Sequence, residues 1–339
     1  MNDKVSILGV NIDKKTKEEF VSDVANLLNG SDRHMVFTPN PEMIVRANKD
    51  IEFKNVLNLA TLSLPDGIGL LFASTYLNLK TRFRKSKKLK VIYALFQAFY
   101  TLLSLIFFPN FCRKIIKERV CGSDFFWELI RICNENQKRV FFLGAAPGVS
   151  EMVRDRVMKV YPKLQIAGTY AGSPDKDFEK EICHIINTGK PDLLCIAYGA
   201  PAQEKWIYRN LKNLDKVKVA IGLGGTFDFV AGKTKRAPLI MRKLGLEWLF
   251  RLLLTPSRIY RIYNATFKFV KLVIKEKIYC HSRLSRRGGD ESGDPAIYYE
   301  NDKSFGLKFT NGISAKELHK ELKKADKEIT DLKQSDNNL

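Results

Sequence analysis

The chain has 339 residues, of which 45% are hydrophobic and 28% charged, and a formal net charge of +20 at pH 7. These proportions are ordinary for a folded protein and leave room for one large domain or two smaller ones. Its six cysteines never fall at a C-x-x-C spacing and its four histidines are scattered, so we predict no metal site and no cofactor.

Residues 1 to about 230 alternate short β-rich runs with amphipathic helical stretches. The N-terminal residues, MNDKVSILGVNIDKK, lack the apolar run of a signal peptide, so we expect the body of the protein in the cytoplasm. The predicted strands are Val5–Val10, His34–Thr38, Ala60–Leu64, Lys138–Leu143, Leu164–Thr169, Asp192–Tyr198 and Val217–Leu223. The predicted helices include Lys17–Leu28, Pro41–Asn48, Asp124–Asn134, Val149–Val160, Phe178–Asn187 and Pro201–Leu211.

This alternation predicts an α/β fold: a Rossmann-like, mainly parallel sheet with helices on both faces, forming a catalytic domain over residues 1–237. In such sheets ligands bind beyond the carboxyl ends of the strands. Five predicted strands end in polar or glycine-rich turns, which read TPNPE, PDG, GAAPG, GAPAQE and GGTFDF. Each turn alone is weak evidence for a binding site, but together the five turns predict one site.

The net charge comes from two segments that also carry apolar runs. Residues 80–120 hold 11 Lys and Arg against one acid, and residues 231–281 hold 12 against two. Within the first segment, Val91–Phe108 contains no formal charge. Basic residues beside apolar surface favour an anionic membrane, whereas a polar basic face would favour nucleic acid. We therefore predict anionic lipids as partners and no nucleic acid.

From residue 238 the sequence predicts basic amphipathic helices split at Pro256. We interpret residues 238–281 as a membrane-binding appendage that completes the active site. Residues 282–339 are polar and predict a flexible tail, with a short charged helix at Ala315–Leu332.

Seven motifs match a known family in order, from about residue 4 to residue 263. They are TPNPE (38–42), LPDGIGL (64–70), RVCG (119–122), FFLGAAPG (141–148), YGAPAQEKW (198–206), GLGGTFDFVAGKTKRAP (222–238) and GLEWLFRLLLTPSR (245–258). They closely resemble the WecG/TagA/CpsF bacterial glycosyltransferases, glycosyltransferase family 26. The resemblance implies metal-independent, inverting transfer of an N-acetylmannosamine-type sugar from a UDP-sugar donor to undecaprenyl-diphosphate-linked GlcNAc. It also implies products that enter teichoic acid linkage units or surface polysaccharides.

Inverting transfer needs a carboxylate that accepts the proton of the attacking hydroxyl. Asp66 lies between Pro65 and Gly67 at a predicted strand end, and this position makes it the candidate general base. The family resemblance strengthens this assignment. The alternative is a turn aspartate that caps the next helix. Thr38 and Asn40 follow a neighbouring strand and could orient the sugar or the acceptor. Either is equally plausible as an N-cap of the helix that begins at Pro41.

Further candidate substrate residues lie in the later turns. We favour Gln203 for contact with the sugar or the acceptor, whereas Glu204 is explained by the helix dipole alone. Asp228 is a candidate partner of the uracil or ribose, and Gly224 and Gly225 would allow close backbone approach. The turn from Gly144 to Gly148 resembles a phosphate cradle, although a plain strand-to-helix turn explains it nearly as well.

A departing diphosphate builds negative charge, which arginine can offset because its planar fork binds phosphate in a bidentate manner. Arg119 lies where the family's RV-x-G motif carries an active-site arginine. Arg251, Arg258 and Arg261 match arginines of the family's C-terminal appendage, which folds over the pocket. The alternative is that these last three contact lipid headgroups.

The run Val91–Phe108 could span about 27 Å as a helix. A single membrane span would separate Asp66 from Gln203, yet one active site needs both. We therefore predict a re-entrant or surface-lying hairpin, or a helix in the membrane interface, with both ends cytoplasmic. A buried core helix or a contact within a homo-oligomer is the alternative.

The sequence thus predicts a glycosyltransferase at the cytoplasmic face of the membrane. Two other functions compete with it: a Rossmann-type nucleotide-binding oxidoreductase and a non-catalytic membrane adaptor. The first lacks the G-x-G-x-x-G fingerprint. The second leaves Asp66, Gln203 and Asp228 without a joint role.

Overall fold

The computed structural model describes residues 3–83, 86–238, 241–242 and 247–284. The side chains of residues 87, 251, 258 and 280–284 lie outside this description, and so does the predicted tail from residue 285 onward, including the helix predicted at Ala315–Leu332.

Eight strands form two sheets in the described residues. The strands are β1 Lys4–Ile7, β2 Val10–Asp13, β3 His34–Phe37, β4 Leu62–Ser63, β5 Arg139–Gly144, β6 Gln165–Tyr170, β7 Leu193–Ala197 and β8 Val219–Gly222. Six of them pair in the order β4-β3-β8-β7-β5-β6, and every pairing in this sheet is parallel. The predicted α/β fold class is confirmed.

The first predicted strand, Val5–Val10, is wrong as a single strand. Leu8 and Gly9 have positive φ angles of 52° and 78°, so the chain reverses there and β1 pairs antiparallel with β2. The apolar residues at 7, 8 and 10 made one continuous run in the sequence, and this hid the turn.

Helices cover both faces of the sheet. They are α1 Lys17–Asn29, α2 Pro41–Ala47, α3 Ile51–Asn58, α4 Ile68–Asn78, α5 Lys87–Phe107, α6 Gly122–Glu135, α7 Val149–Val160, α8 Glu179–Gly189, α9 Ala202–Asn210, α10 Thr226–Val230, α11 Glu247–Leu254, α12 Ile259–Tyr263 and α13 Phe269–Leu284. A 3₁₀ helix at Pro109–Arg113 follows α5, and a π-helical turn at Asn264–Lys268 joins α12 to α13.

Two hydrophobic cores separate these helices by face. One core includes buried residues of α2, α3, α4 and α9, for example Ile44 and Phe72. The other includes residues of α1, α6, α7 and α10, for example Phe125 and Phe227. The chain therefore leaves β3 toward one face and leaves the adjacent strand β8 toward the other. This divergence opens a crevice at the carboxyl ends of β3 and β8.

The helix that follows Asp66 is held by close glycine contacts. Gly67 has a φ of 120°, and a Cβ on Gly69 would lie 2.8 Å from Cγ of Pro41 and 3.4 Å from the ring of Phe269. The start of α4 therefore packs directly against the start of α2 and the start of α13.

Helix α5 is one uninterrupted helix, so the hairpin predicted within Val91–Phe108 is wrong, whereas the alternative of a helix in the membrane interface stays a prediction. Its stretch Lys88–Phe107 has a mean hydropathy of 1.7 and is, by length and composition, able to cross a membrane; 33% of it is buried. The buried face carries mainly small or polar side chains, whereas the exposed face carries large apolar ones.

Helix α13 is fastened to the α/β body by polar contacts as well as by Phe269 and Val273, which belong to the hydrophobic core. The Lys277 ammonium is buried and donates to the carbonyls of Tyr76 and Leu79 at the end of α4. Burial lowers the pKa of Lys277 to about 8.

Candidate active site

A polar pocket occupies the crevice between β3 and β8. Its lining includes seven of the predicted site residues: Thr38, Asn40, Asp66, Gln203, Gly224, Gly225 and, from α12, Arg261. Thr38 and Gly224, far apart in the sequence, meet here because their strands end at the same edge of the sheet. The prediction of a site at these turns agrees with this geometry.

Asp66 lies one turn beyond β4 and is half-buried at the pocket wall. Its backbone N–H donates to the Pro39 carbonyl at 2.9 Å, which joins the two turns that follow β4 and β3. The N-cap of α4 is Gly67, which has no side chain that could cap the helix. Burial raises the pKa of Cys121, and the nearby Asp66 carboxylate raises it further. This coupling places the carboxylate beside the start of α6.

Thr38 and Asn40 have different structural roles. The Asn40 side chain accepts from the Met43 N–H at 3.0 Å and is the N-cap of α2, as the alternative interpretation stated. Thr38 is not a cap, because its hydroxyl donates to the Gly222 carbonyl at 3.1 Å across the crevice. Both side chains still line the pocket.

Gln203 fastens two turns together. Its Oε1 accepts from the N–H of Gly199 at 3.1 Å and from the N–H of Gly224 at 3.0 Å. Its Nε2 donates to Oε1 of Glu204 at 2.7 Å. The sequence favoured a substrate contact for this amide, but these hydrogen bonds hold the loops after β7 and β8 at their observed separation.

Glu204 is fully buried behind Gln203, and no hydrogen-bond partner reaches its Oε2. Burial raises the pKa of Glu204 to about 7, against the smaller opposing effect of the Gln203 hydrogen bond. The helix-dipole explanation for Glu204 is therefore incomplete, since a surface position would not shift the pKa in this direction.

Within the described side chains, three predicted site residues do not line the pocket: Arg119, Gly144 and Asp228. Asp228 is half-buried in α10, one position before the lining residue Phe229. Gly144 ends β5 with a φ of 98°, and a Cβ there would lie 3.0 Å from the backbone of Ala197. Close packing of β5 against β7 accounts for this glycine, and the phosphate cradle stays a prediction.

An ion cluster forms one side of the pocket mouth. Arg261 pairs with Glu42 through Nε, at 3.1 and 3.0 Å from the two carboxylate oxygens. Arg46 lies 3.4 Å from the same carboxylate and donates to the Ala200 carbonyl at 2.9 Å. Sequence reasoning missed Glu42 and Arg46, although Glu42 is the last residue of the TPNPE motif.

A second cluster of three arginines surrounds Asp124 near the start of α6. Arg236 binds the Asp124 carboxylate at 2.6 and 3.2 Å, and Arg242 lies 3.9 Å from it. Burial raises the pKa of Asp124, but the Arg236 hydrogen bonds and the neighbouring positive charges outweigh this and lower it. Arg119 donates to the carbonyl of Arg242 at 3.2 Å.

This second cluster adjoins the pocket, because Arg236 also reaches the Sγ of Cys121, a lining residue, at 3.9 Å. The side chains of Arg251 and Arg258, both predicted site residues, lie outside the described part of the structure. Sequence reasoning singled out Arg119 but missed Arg236, Arg242 and Asp124. The basic motif GKTKRAP, which holds Arg236, was the available signal.

Comparison with known proteins identifies the family of this chain. The sequence model of the Glycosyl transferase WecG/TagA/CpsF family matches residues 5–108 and 103–283. An N-acetylglucosaminyldiphosphoundecaprenol N-acetyl-beta-D-mannosaminyltransferase of Bacillus subtilis (strain 168) is 32% identical over 243 residues, which cover 72% of this chain and 80% of that protein. Proteins of the same name from Bacillus spizizenii and Staphylococcus aureus (strain MRSA252) are 31% and 28% identical, and this chain matches 81% and 94% of their lengths. The resemblance inferred from the seven motifs is confirmed.

Proposed function

The chain belongs to the WecG/TagA/CpsF glycosyltransferase family, and from this premise we propose that it transfers an N-acetylmannosaminyl group from a UDP-sugar to undecaprenyl-diphosphate-linked GlcNAc. The observation that carries the proposal is the position of Asp66, in a crevice at a strand switch point, between two clusters of arginines. The relatives' names give the transferred group and the acceptor. An oxidoreductase or a non-catalytic adaptor is not favoured.

The Asp66 carboxylate serves as the general base in this proposal. The acceptor hydroxyl attacks the anomeric carbon, and its proton passes to Asp66 as the new glycosidic bond forms. The bond between the anomeric carbon and the diphosphate oxygen breaks, and its electron pair leaves with UDP. Attack from the side opposite the leaving group inverts the anomeric configuration.

Arginines stabilise the leaving diphosphate. Arg261 and Arg46 lie on one side of the pocket, and Arg119 and Arg236 adjoin the other side. Each guanidinium is fixed in place by a carboxylate or a carbonyl, so little reorganisation is needed as charge develops. The N-terminus of α6, whose first residues Gly122 and Ser123 line the pocket, adds a favourable helix dipole for an anion.

The acceptor is a lipid, which requires the pocket to open close to a membrane surface. We propose that the protein binds the cytoplasmic face as a peripheral or monotopic protein, through the exposed apolar side chains of α5 and the basic segment 238–281. The domain boundaries at residues 237 and 281 and any homo-oligomer stay predictions. The roles predicted for Arg251 and Arg258, at the pocket or at the lipid headgroups, stay predictions as well.

A direct assay tests the proposal. Purified protein is incubated with a panel of UDP-sugars and a GlcNAc-diphospho-lipid analogue, and products are identified by mass spectrometry. We expect one N-acetylhexosamine to be added to the acceptor from UDP-N-acetylmannosamine, with release of UDP, and no product from UDP-glucose. EDTA should leave the rate unchanged, because arginines take the place of a divalent ion.

Three results would contradict the proposal. Transfer from a different UDP-hexose would replace the donor while keeping the reaction class. Loss of activity in EDTA with recovery in manganese would remove the proposed role of the arginines. A rise in melting temperature with NAD but none with UDP would favour the oxidoreductase alternative.

A further inference from the structure

Glu204 is a buried carboxyl group beside the active site, and no step of the proposed sugar transfer uses it. It lies in the first turn of α9, is fully buried, and does not line the pocket. Within the described residues, its Oε2 has no hydrogen-bond partner. A buried polar atom without a partner is costly, so the presence of this carboxyl group requires a physical reason.

Stability does not supply that reason. Burial raises the pKa of Glu204 to about 7, so the folded state opposes an ionisation that an exposed glutamate completes above its ordinary value of 4.5. At neutral pH the residue therefore lowers the free energy of unfolding. Methionine has a similar length and would fill the same space without a buried charge. The reason has to come from what the other carboxylate oxygen contacts.

The other oxygen orients the amide of Gln203. Glu204 Oε1 accepts from Gln203 Nε2 at 2.7 Å, while Gln203 Oε1 accepts from the N–H groups of Gly199 and Gly224. An ionised carboxylate suits this position because both of its oxygens accept and neither donates. A flipped amide would place its oxygen against the carboxylate and its nitrogen against two N–H donors. The observed orientation is therefore the favoured one.

The Gln203–Glu204 pair packs closely against the end of β8. A Cβ on Gly222 would lie 2.7 Å from Gln203 Nε2 and 3.2 Å from Glu204 Oε1. The Gly222 carbonyl accepts from the hydroxyl of Thr38, so this strand end is held from two sides. The Gln203 amide is thus confined between α9 and β8, and Glu204 supplies the acceptor for its nitrogen.

The two turns that Gln203 joins present open backbone to the pocket. Gly199 and Gly224 both line it, and a Cβ on either glycine would meet no described atom within 4 Å. A ligand can therefore approach the backbone closely at both positions. The turn after β7 also carries the Ala200 carbonyl, which accepts from Arg46 at 2.9 Å. A shift of these turns would move the pocket wall and an arginine together.

We propose that Glu204 is a positioning residue, which holds the Gln203 amide in the orientation that fixes the turns after β7 and β8 for the bound substrates. Glu204 contacts no substrate in this arrangement and acts only through Gln203. The consequence for turnover rests on the proposed transferase function. The positions of the turns are a property of the free protein and are tested without substrate.

The first test measures hydrogen exchange in the free protein. Glu204→Met removes the acceptor, Glu204→Gln keeps a carbonyl oxygen that can accept, and Asn210→Leu is the matched control. Asn210 is 2% exposed in the same helix and donates to the Trp206 carbonyl, away from the pocket. With Glu204→Met, exchange in peptides that cover Gly199 and Gly224 should be roughly 10-fold faster, as expected for one weakened hydrogen bond. Glu204→Gln and the control should exchange at these turns like the wild type.

The second test uses the transfer reaction with soluble substrates. Glu204→Met should lower kcat/KM by about 10²-fold, the usual result of a small displacement of positioning groups, whereas Glu204→Gln should stay within about 10-fold of the wild type. Gln203→Ala should lower kcat/KM as well. Adding Glu204→Met to Gln203→Ala should cause no further loss, because the carboxyl group then has no amide to orient.

Several outcomes would overturn the proposal. Unchanged exchange at both turns in Glu204→Met, additive losses in the double variant, or an equal loss of activity in Asn210→Leu would each show that Glu204 does not act through Gln203. A melting temperature of Glu204→Met below that of the wild type at pH 8 would show that the residue serves stability instead. If exchange at the turns responds as expected but the wild type transfers no sugar, the proposed function alone is wrong.

Discussion

Helices α6 and α5 bury opposite kinds of side chain. Helix α6 turns Phe125, Phe126 and Leu129 toward the core and leaves polar residues outside. Helix α5 turns the small or polar residues Ala94, Gln97, Ala98, Thr101 and Ser104 inward, and each of these is at most 7% exposed. Its buried hydroxyls are satisfied within the helix: Thr101 donates to the Gln97 carbonyl at 2.7 Å, and Ser104 donates to the Tyr100 carbonyl at 2.8 Å.

The outer face of α5 is apolar, whereas the outer face of α6 is polar. Ile92, Phe96 and Phe99 are each more than 60% exposed, and Phe107 and Phe108 extend the same apolar surface. In water this surface is unfavourable by about 25 cal/mol for each Å². The difference teaches that α6 is patterned for the protein interior, whereas α5 is patterned for a non-aqueous neighbour outside the chain. Changes to the pocket should therefore alter turnover, and changes to α5 should alter membrane binding.

The largest effect is expected at the pocket. Asp66→Asn should lower kcat by about 10²- to 10⁴-fold, the usual contribution of a general base, because the amide cannot accept the acceptor proton. Vesicle binding should stay unchanged. Activity with soluble substrates and co-sedimentation with anionic vesicles are measured in parallel. The exposed Asp215→Asn, at the opposite end of the sheet, is the control. If Asp66→Asn kept full activity, another group would have to be the base.

A change to the outer face of α5 should give the reverse result. Ile92, Phe96 and Phe99 are replaced together by Ser, which removes about 1 kcal/mol of membrane burial for each side chain. Vesicle affinity should then fall roughly 100-fold, while turnover in detergent with soluble substrates stays near that of the wild type.

The matched control replaces Ile51, Val160 and Phe178, which are 59%, 56% and 48% exposed on the α/β body. Vesicle binding by this control should equal that of the wild type. If the α5 variant instead became monomeric from an oligomer in light scattering, with its vesicle affinity unchanged, the outer face would be a subunit contact. Such a result would break the comparison between the two helices.

A smaller effect is expected from a buried polar group that, in contrast to those of α5, is not fully hydrogen-bonded. Unlike the satisfied hydroxyls of α5, Glu204 keeps one unpaired carboxylate oxygen. Its pKa is about 7 in the folded chain against 4.5 for an ordinary glutamate, so the folded state holds the extra proton between these values. Stability should therefore fall as pH rises from 4.5 to 7, and the full loss should persist above pH 7.

Glu204→Gln removes this titration. At pH 8 the variant should be more stable than the wild type by up to roughly 3 kcal/mol, and the gain should vanish near pH 4. Urea unfolding at the two pH values measures it, with the exposed Glu18→Gln as the control. An equal gain at both pH values would mean that packing, and not the carboxylate charge, limits stability here.

The fold was largely predictable from local patterns. Val149–Val160 was predicted to the residue, and the six strands of the parallel sheet were found within a few positions, because a buried strand bounded by turns leaves a clear signal. The β1–β2 hairpin was not found, since its turn consists of Leu8 and Gly9 within an apolar run. The inverted orientation of α5 could not be predicted either, because the sequence shows amphipathicity without showing which face meets the protein.

The site was predictable where a motif follows a strand, and less so where distant charges pair. Asp66, Thr38 and Gln203 were all found, because parallel strands bring their ends to one edge. Glu42 and Arg46 were missed because their role depends on Arg261, more than 200 residues away. For Gly144, the sequence could not separate close strand packing from phosphate binding, since both require glycine.

The contacts of α13 determine where the chain can be shortened. A version that stops before Phe269, designed to remove the basic helix for easier purification, would uncover Phe269 and Val273 of the hydrophobic core. It would also leave the carbonyls of Tyr76 and Leu79 without Lys277, at the far end of the helix that begins beside Asp66. The C-terminal helical layer is thus not a detachable module, and soluble forms of this enzyme are better sought by point changes on its outer surface.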